Sequence, residues 1–460
     1  MIRGPSIKTL TSIVGDEYLL TRQDAMVDYA TDATKLEFMP DAVAFPGTSE
    51  EISSILSLAT KVGFPVIPRG AGTGKSGGAL AVRGGLILAM DRFNRILHID
   101  PDNLVAKVEP GVITARLQEE VEEIGLFYPP DPASVKISTI GGNVAACAGG
   151  LRAVKYGVTR DYVLGLDVVL PTGEIIKTGV ETAKGVVGYD LTRLIVGSEG
   201  TLAVITAVTL RLLPKPAKTK TMLTFFRKAT TAVQTVSEII RRKVVPTTLE
   251  FMDRHCIDCA REEMGAFIPS GADAVLLIEV DGDAGVTERE MDEVRDICLR
   301  SGAIRFDVAS DGEEAENLWE IRRNISETIL KLGPHKISED IVVPRSRMAE
   351  YIDFLDQLGQ KYRLPIPAFG HAGDGNIHVN IMHDKKRPQD AANADNAVKE
   401  IFRKVIDMGG TISGEHGVGI TKAPYFGMEI SRPAIALMTR LKKAFDPRGI
   451  LNPGKILPGA

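Results

Sequence analysis

The stretch VAFPGTSEEISSILSLATKVGFPVIPRGAGTGKSGGAL, residues 43–80, predicts a strand, a helix and a second strand that runs into a glycine-rich loop. Thr48 and Glu51 have the spacing of a capping box at the helix start, and Gly63 follows its last turn. Apolar residues recur at helical spacing between these two ends. The pattern is therefore a β-α-β unit that delivers the loop PRGAGTGKSGGAL, residues 68–80, at the end of a strand.

This loop has the composition that lets backbone N–H groups approach a pyrophosphate. It does not match G-x-G-x-x-G opening a helix. It also fails the pattern G-x-x-x-x-G-K-[ST], because Lys75 follows Gly74 without a first glycine at the required distance. We therefore expect a bound nucleotide, but neither a Rossmann fold nor a phosphate-loop ATPase.

A second glycine-rich segment follows in PPDPASVKISTIGGNVAACAGG, residues 129–150, where small residues permit close approach of backbone to an extended cofactor. Next, VLGLDVVL and GEIIKT flank a Pro-Thr-Gly turn and predict a hairpin. The stretch LIVGSEGTLAVITAVTLRLLP, residues 194–214, predicts a glycine turn feeding a long strand. The segment PKPAKTK, residues 214–220, has the composition of a domain boundary.

Two later motifs, FGHAGDGNIHVN at 369–380 and SGEHGVG at 413–419, contain three of the seven histidines. An Asp-Gly pair at the centre of a two-residue turn would place His371 directly opposite His378, with the Cβ atoms roughly 5 Å apart. Strand histidines are more often ordinary core or surface residues. The glycines and the Glu-His dipeptide favour a metal site instead, with Glu415 as third ligand and His416 left as a proton acceptor.

Composition limits the remaining choices. With 460 residues, of which 44% are hydrophobic, the chain can bury two or three domain cores. A net charge of −5 without a basic run argues against a nucleic-acid surface. No stretch approaches ~18 apolar residues, which predicts no transmembrane segment and a cytoplasmic location. Cys256 and Cys259 lack nearby cysteine partners, so we interpret them as structural thiols on a helix.

Seven motifs together resemble one family, the vanillyl-alcohol oxidase-type (PCMH) flavoproteins: PRGAGTGKSGGAL, PPDPAS, STIGGNVAACAGG, VGSEGTLAVIT, GHAGDGNIHVN, SGEHGVG and FDPRGILNPGKI. Within that family they are most similar to the D-2-hydroxyacid dehydrogenases, which include glycolate oxidase catalytic subunits and D-lactate dehydrogenases. The resemblance implies an α+β fold with a two-part FAD-binding domain and an α+β cap domain containing an antiparallel sheet. The expected boundaries are 1–215 for FAD binding, 216–420 for the cap, and 421–460 for a segment returning to the first domain.

The resemblance also implies the residues that bind FAD. Family members that attach the cofactor covalently use a histidine in the first loop, where this chain has Ala71, Gly72 and Thr73, so we expect FAD to be non-covalent. The implied cofactor-binding residues are Pro68, Arg69, Gly70, Ala71, Gly72, Thr73, Gly74, Ser76, Gly77, Pro132, Ser138, Thr139, Gly141, Gly142, Asn143, Ala148, Gly149, Gly150, Glu199, Gly200, Ile205 and Asn452.

The same resemblance implies a reaction, the oxidation of a short D-2-hydroxy acid, D-lactate or glycolate, to the 2-keto acid. Metal ligands carry over onto His371, His378 and Glu415, for zinc, manganese or iron, and the proton acceptor onto His416. Substrate contacts fall on Arg322 in WEIRRN, on Lys336 and on Asn380. Asn380 also lies two residues after His378, and so on the same strand face.

Several alternatives remain at this stage. Lys336 keeps a dicarboxylate such as D-2-hydroxyglutarate open as substrate, and a non-redox flavin-dependent alkyl transferase shares the fold. A metal-dependent hydrolase would have no use for the glycine-rich segments, and a scaffold subunit would have none for the metal motif. The resemblance implies an electron-acceptor protein, either an iron–sulfur subunit or an electron-transfer flavoprotein, through which the chain could lie peripheral to a membrane. A homodimer is left open.

Overall fold

The structure of the protein, a computed structural model, describes residues 2–182, 184–264 and 267–457. It divides into two compact units. The first contains Met1–Gly149, Val158–Lys215 and Glu415–Ala460, and the second contains Gly150–Gly157 and Pro216–Gly414.

Helices and strands are interspersed along the first half of the chain. They are α1 (Gly4–Val14), β1 (Leu19–Leu20), β2 (Ala42–Ala44), α2 (Ser49–Val62), β3 (Val66–Arg69), β4 (Leu86–Ala89), β5 (Ile96–Asp100), β6 (Val105–Val108), α3 (Thr114–Glu122), β7 (Leu126–Phe127), α4 (Ile140–Ala146), α5 (Ala153–Tyr156), β8 (Val163–Val169), β9 (Ile175–Gly179), α6 (Leu191–Ile195), β10 (Val204–Arg211) and β11 (Leu213–Pro214).

Longer helices dominate the second half. The elements are β12 (Lys218–Phe226), α7 (Ala229–Arg241), β13 (Thr248–Asp253), α8 (Arg254–Met264), β14 (Ala274–Gly282), α9 (Ala284–Arg300), β15 (Ala303–Val308), α10 (Gly312–Thr328), β16 (His335–Val342), α11 (Met348–Tyr362), β17 (Ala368–His371), β18 (Asn376–His383), α12 (Pro388–Asp407), α13 (Phe426–Glu429) and α14 (Arg432–Phe445).

The predicted β-α-β unit is confirmed as β2, α2 and β3. Both strands pair in parallel with β4, in a sheet of order β1-β2-β4-β3. Thr48 caps α2 by accepting a hydrogen bond from the Glu51 N–H at 3.1 Å. The Glu51 carboxylate accepts from the Gly47 N–H rather than from that of Thr48. Gly63 ends the helix at a φ of 88°, a conformation that favours glycine.

A second sheet in the first unit has the order β5-β6-β10-β8-β9 and is antiparallel throughout. It contains the predicted hairpin, with β8 and β9 joined around residues 170–174, and the predicted long strand β10. The last segment of the chain contains helix α14, followed by a turn-rich end.

The second unit is built on a seven-stranded antiparallel sheet of order β15-β12-β14-β13-β17-β18-β16. Helices α8 and α10 pack on one face and form a core with apolar side chains of five strands, among them Leu223, Phe225, Met252, Leu277, Phe369 and Met382. Each fully buried large side chain of this kind contributes roughly 1.5–3 kcal/mol. Cys256 and Cys259 lie on α8, as predicted, and both are buried and outside any disulfide.

The predicted register of the histidine hairpin is wrong by two residues. β17 and β18 pair with Phe369, not His371, opposite His378, and residues 372–375 form the connection. Neighbouring strands decide this register: the Val343 N–H donates to the Gly375 carbonyl at 3.0 Å, and the Gly373 N–H donates to the Leu249 carbonyl at 3.2 Å. A tight two-residue turn would lose both bonds.

Among the described residues we find no helix with both the length and the apolar character needed to span a bilayer.

Candidate active site and cofactor-binding residues

The first glycine-rich loop of the first unit presents unused backbone donors. Among the described residues, none accepts a hydrogen bond from the backbone N–H groups of residues 71–77. Gly72 and Gly77 have φ values of 69° and 80°, which turn the chain in a way that glycine tolerates best. A run of unpaired amides in a glycine-rich turn is the donor set that binds a pyrophosphate, so this loop fits FAD.

Arg69 shapes this loop from within. Its guanidinium donates to the carbonyls of Asp28 at 3.1 Å and Thr31 at 2.7 Å, and its Nη2 would lie 2.3 Å from a Cβ on Gly72. Burial lowers the pKa of Arg69, while Asp32 opposes that shift. The side chain therefore fastens the loop to the segment around residue 30.

The two glycine-rich segments pack against each other. A Cβ on Gly70 would lie 2.4 Å from Thr139 Oγ1, and a Cβ on Gly141 would lie 2.4 Å from Pro110 Cβ. Thr139 caps α4 by accepting from the Gly142 N–H at 3.2 Å. Behind this contact, Thr114 Oγ1 joins Ser138 Oγ at 3.1 Å and Asn143 Nδ2 at 2.8 Å in a buried network. Glycine is needed here for close packing.

Asn452 and Glu199 connect the tail to these loops. Asn452 Nδ2 donates to the carbonyls of Gly78 at 2.9 Å and Glu199 at 2.7 Å. The Glu199 carboxylate accepts from the N–H groups of Val418 at 2.7 Å and Gly419 at 2.9 Å. Burial raises the pKa of Glu199, and these two N–H groups oppose the rise. Glu199 thus supports the loop that follows Glu415 and His416, a role that sequence analysis missed.

The other predicted cofactor residues have these positions. Gly200 lies against Pro68, Ile205 is in β10 opposite Val168, and Gly150 opens the short segment Gly150–Gly157 of the second unit. The carbonyls of Pro132 and Ala148 accept from the Val135 N–H and the Thr159 hydroxyl, and a Cβ on Gly149 would lie 2.7 Å from Glu415 Oε2. Direct contacts therefore join residues of four separate segments in the first unit.

In the second unit, four polar side chains form a row across adjacent strands β13, β17, β18 and β16. Glu250 is opposite His371, and Asp340 is opposite His378. The imidazole centroids of the two histidines lie 5.1 Å apart at an interplanar angle of 87°, and all four side chains are buried. The predicted proximity of the two histidines is therefore confirmed, although they are diagonal rather than direct cross-strand neighbours.

Glu250 fixes the orientation of His371. Its Oε1 lies 2.5 Å from His371 Nδ1, which leaves Nε2 as the nitrogen that would face a metal. Burial alone would raise the pKa of Glu250, but His371 and Arg322 together lower it to about 2. Glu250 is therefore an anion throughout the ordinary pH range. His378 Nδ1 lies 3.7 Å from Asp340 Oδ1, so the second histidine also has a buried carboxylate beside it.

Arg322 is held in the same row. Its Nε donates to Glu250 Oε2 at 2.6 Å, and its guanidinium carbon lies 4.8 Å from the Phe369 ring centroid. Only 10% of the side chain is exposed, whereas Arg323 is 46% exposed and pairs with Glu316. Within the described part of the chain, neither terminal nitrogen of Arg322 has a hydrogen-bond partner. Glu250 therefore holds Nε and fixes the guanidinium group, while the two terminal nitrogens can bind a carboxylate ligand.

Lys336 and Asn380 lie on the same face of the sheet. Lys336 Nζ donates to Ser326 Oγ at 2.9 Å. Asn380 Nδ2 donates to the His378 carbonyl at 3.1 Å, and its buried Oδ1 has no partner among the described residues. The prediction that Asn380 shares a face with His378 is confirmed by the register with β16.

Glu415 and His416 open the last segment of the first unit. Glu415 Oε1 lies 3.9 Å from His416 Nε2, and both side chains are mostly buried. The preceding residue, Gly414, donates its N–H to Asp340 Oδ2 at 3.0 Å within the second unit.

Glu250 and Asp340 are site residues that sequence analysis missed. Glu250 is a carboxylate between Leu249 and Phe251 in the buried strand β13. A carboxylate is costly to bury without a partner, so its place between apolar residues is the signal that could have found it. Asp340, between Glu339 and Ile341, gives no such local signal.

Comparisons with known proteins show the family of this chain. The family described as "FAD binding domain" matches residues 40–179, and the family described as "FAD linked oxidases, C-terminal domain" matches residues 215–456. Glycolate oxidase subunit GlcD of Bacillus subtilis (strain 168) is 46% identical over 99% of this chain and 97% of its own. The chain belongs to the FAD-linked oxidases.

A second relative and a solved structure give further information about the activity type and the fold. A D-lactate dehydrogenase of Anaerostipes hadrus is 35% identical over 91% of this chain and 89% of its own. The solved structure of p-cresol methylhydroxylase with substrate bound has a TM-score of 0.79 at 19% identity, covering 98% of this chain and 96% of that one. The protein is thus an FAD-dependent oxidoreductase of the glycolate oxidase and D-lactate dehydrogenase type, with the vanillyl-alcohol oxidase-type fold predicted from its sequence.

Proposed function

We propose that this protein oxidises a short D-2-hydroxy acid, glycolate or D-lactate, to the corresponding 2-keto acid. The observation that carries the proposal is the buried array of Glu250, Arg322 and His371. It combines an oriented imidazole with a guanidinium whose terminal nitrogens are unused. A small ligand with a carboxylate beside a second oxygen matches these two groups. The names of two relatives, a glycolate oxidase subunit and a D-lactate dehydrogenase, point to the same substrates.

The donor set fits a divalent metal with His371, His378 and Glu415 as ligands. Two buried imidazoles 5.1 Å apart support the first two ligands, and the chain continues from Gly414, bonded to Asp340, directly into Glu415. Two nitrogens and one carboxylate suit zinc, manganese or iron. Such a metal, when bound, would lower the pKa of the substrate hydroxyl.

Side chains of the protein bind the substrate and remove its proton. Arg322 binds the substrate carboxylate through Nη1 and Nη2, because Glu250 holds its Nε and fixes the plane of the fork. Fixing that carboxylate orients C2 and its hydroxyl. His416 removes the hydroxyl proton as a neutral imidazole. The glycine-rich loops would hold FAD, which would supply a two-electron acceptor for the hydrogen on C2.

We further propose that electrons leave through a protein acceptor, an iron–sulfur subunit or an electron-transfer flavoprotein. The Bacillus subtilis relative is named a subunit, which supports a partner. FAD is proposed to be non-covalent, because residues 71–73 of the first loop offer no histidine to attach it.

An anaerobic titration tests the proposal. Glycolate, D-lactate, L-lactate, D-2-hydroxyglutarate and D-malate are each added to the holoenzyme while the flavin absorbance band is followed. We expect glycolate or D-lactate to bleach the band. L-lactate should react about a hundredfold or more slowly, since its C2 hydrogen points away once the oxygens are fixed. Equal rates for the two lactates, or no bleaching by any acid, would refute the proposal.

A further inference from the structure

The ring of Phe369 contacts two groups of the polar row in the second unit. Phe369 in β17 is directly opposite His378 in β18, and the two rings meet edge to face, with centroids 5.5 Å apart at an interplanar angle of 63°. The Arg322 guanidinium carbon lies over the same ring, 4.8 Å from its centroid. One apolar side chain therefore touches both the group that we assign to the substrate carboxylate and a histidine that we assign to the metal.

Phe369 and Glu250 restrain the Arg322 guanidinium in complementary ways. Glu250 Oε2 accepts from Nε at 2.6 Å and so holds one edge of the group. That single bond leaves the guanidinium able to rotate about it. An aromatic ring stacked against the cation opposes this rotation and attracts the positive charge. The carboxylate and the ring together thus fix the direction in which the two terminal nitrogens point.

The contact with His378 extends this restraint to the second histidine. Directly opposed side chains of antiparallel strands interact closely, and an edge-to-face arrangement is a preferred geometry of aromatic pairs. Phe369 is only 5% exposed and belongs to the core cluster that includes Met252 and Met382, so its ring is held by packing. The ring therefore acts as a rigid spacer between Arg322 and His378.

We infer that Phe369 is a positioning residue that sets the separation between the Arg322 guanidinium and the His378 imidazole. The inference rests on the proposed function, because this separation matters only if Arg322 binds the substrate carboxylate and His378 binds the metal. A 2-hydroxy acid carries its hydroxyl on the carbon next to the carboxylate, whereas a 3-hydroxy acid has one more carbon between them. A fixed separation therefore selects 2-hydroxy acids over 3-hydroxy acids.

The test uses purified holoenzyme and two unreactive ligands, oxalate and malonate, so that binding is measured without turnover. The two carboxylates of oxalate are bonded directly to each other, and those of malonate are separated by one more carbon. Isothermal titration calorimetry gives the dissociation constants, and the metal and flavin contents are checked before and after each titration.

The main variant is Phe369→Leu, which removes the ring and keeps an apolar side chain. Phe369→Met fills more of the space of the ring and supplies the same comparison if the leucine variant does not fold. Phe225→Leu is the matched control. Phe225 is buried in the same core cluster, and its ring pairs with that of Phe267 at a centroid distance of 6.1 Å.

We expect the wild-type protein to bind oxalate more tightly than malonate. Phe369→Leu should weaken oxalate binding about tenfold, because a buried cation–π contact is lost and the guanidinium is free to rotate. Malonate binding should weaken less, so that the preference for oxalate shrinks. Phe225→Leu should retain both dissociation constants, although truncating either buried ring lowers the thermal stability.

Arg322→Ala separates a positioning role from a purely structural one. In the Arg322→Ala background, Phe369→Leu should change the affinity for oxalate less than it does in the wild-type background, because the guanidinium that the ring orients is absent. Two side chains that act independently would instead give additive changes.

Three results would overturn the inference: unchanged dissociation constants in Phe369→Leu, equal losses in Phe369→Leu and Phe225→Leu, or additive changes with Arg322→Ala. Failure of the proposed function gives a different result. If the wild-type protein binds neither acid, or prefers malonate, the proposed 2-hydroxy acid site is wrong. A preference for oxalate that Phe369→Leu fully retains leaves that site in place and rejects only the role of Phe369.

Discussion

The glycine-rich loops of the first unit and the polar row of the second unit differ in the groups that they offer to a ligand. The loops offer backbone amides, and their side chains are small or engaged with the protein itself, as Arg69 and Asn452 are. The row offers side chains that are charged, buried and mutually oriented, as Glu250, Arg322 and His371 are. Substitutions in the loops should therefore change how tightly the flavin is bound, and substitutions in the row should change what the flavin can react with.

The largest effect is expected for a metal ligand. His378→Ala, or treatment with a chelator, should lower the rate of flavin reduction by a 2-hydroxy acid by about a thousandfold, because several kcal/mol of charge stabilisation are lost. The flavin content should not change. His383→Ala is the control, since His383 is buried on the same strand but outside the row. Full activity of metal-free protein would contradict the assignment.

Arg322→Ala should lower kcat/KM by about a hundredfold or more, because the substrate carboxylate loses its charged partner and Glu250 is left without its guanidinium. Arg322→Lys should recover little, since a point charge cannot form two parallel bonds. Steady-state kinetics with a dye acceptor measures both variants. Arg323→Ala, at the exposed neighbouring position, should behave as the wild-type protein does; similar losses at both positions would remove Arg322 from the site.

Gly70→Ala should weaken flavin binding several-fold or more. The new Cβ would lie 2.4 Å from Thr139 Oγ1, and relieving such overpacking costs about 1–3 kcal/mol and shifts the loop. The flavin-to-protein ratio after dialysis measures this effect. Gly427→Ala is the control in the same unit, because nothing lies within 4 Å of its added Cβ. A normal flavin content in Gly70→Ala would mean that the contact between the two loops is not needed for binding.

The smallest effect is expected at Lys455, a buried residue of the first unit. We expect it to change the free energy of unfolding rather than catalysis. Burial lowers the pKa of Lys455 to about 8, although Glu199 and Asp32 oppose the shift. The unfolded chain holds this proton up to about pH 10.4, so the native state gains stability as pH rises from about 8 towards 10. In the wild-type protein the free energy of unfolding should therefore increase between about pH 8 and pH 10. Lys455→Met should reduce this increase by about 1–3 kcal/mol, as measured by urea unfolding at the two pH values. Parallel pH dependence in the two proteins would contradict the assignment.

Local signals predicted much of the fold. The β2-α2-β3 unit and the β8–β9 hairpin follow from caps, turn residues and periodicity, all of which act over a few residues. The histidine hairpin was misjudged because its register depends on a bond from Val343, which directly follows β16, and on a bond to Leu249 in β13. No pattern within residues 369–380 contains that information.

In the candidate site, too, local motifs could be read from the sequence, whereas contacts between distant segments could not. His371 and His378 could be paired from one motif, and their proximity is confirmed. Glu250 and Asp340 were missed because they reach the histidines only through strand pairing across the sheet, from 121 and 38 residues away along the chain. Arg322 was assigned through resemblance, and its anchoring by Glu250 became visible only with the fold.

The most direct test of the account compares Arg322→Ala and Gly70→Ala side by side for flavin content and for anaerobic bleaching of the bound flavin by D-lactate and by glycolate. We predict opposite defects. Arg322→Ala should retain its flavin but resist bleaching by either acid, and Gly70→Ala should lose flavin while the fraction that stays bound is bleached at the wild-type rate. If Arg322→Ala is bleached as fast as the wild-type protein, or if both variants share one defect, the two regions do not divide the work as proposed.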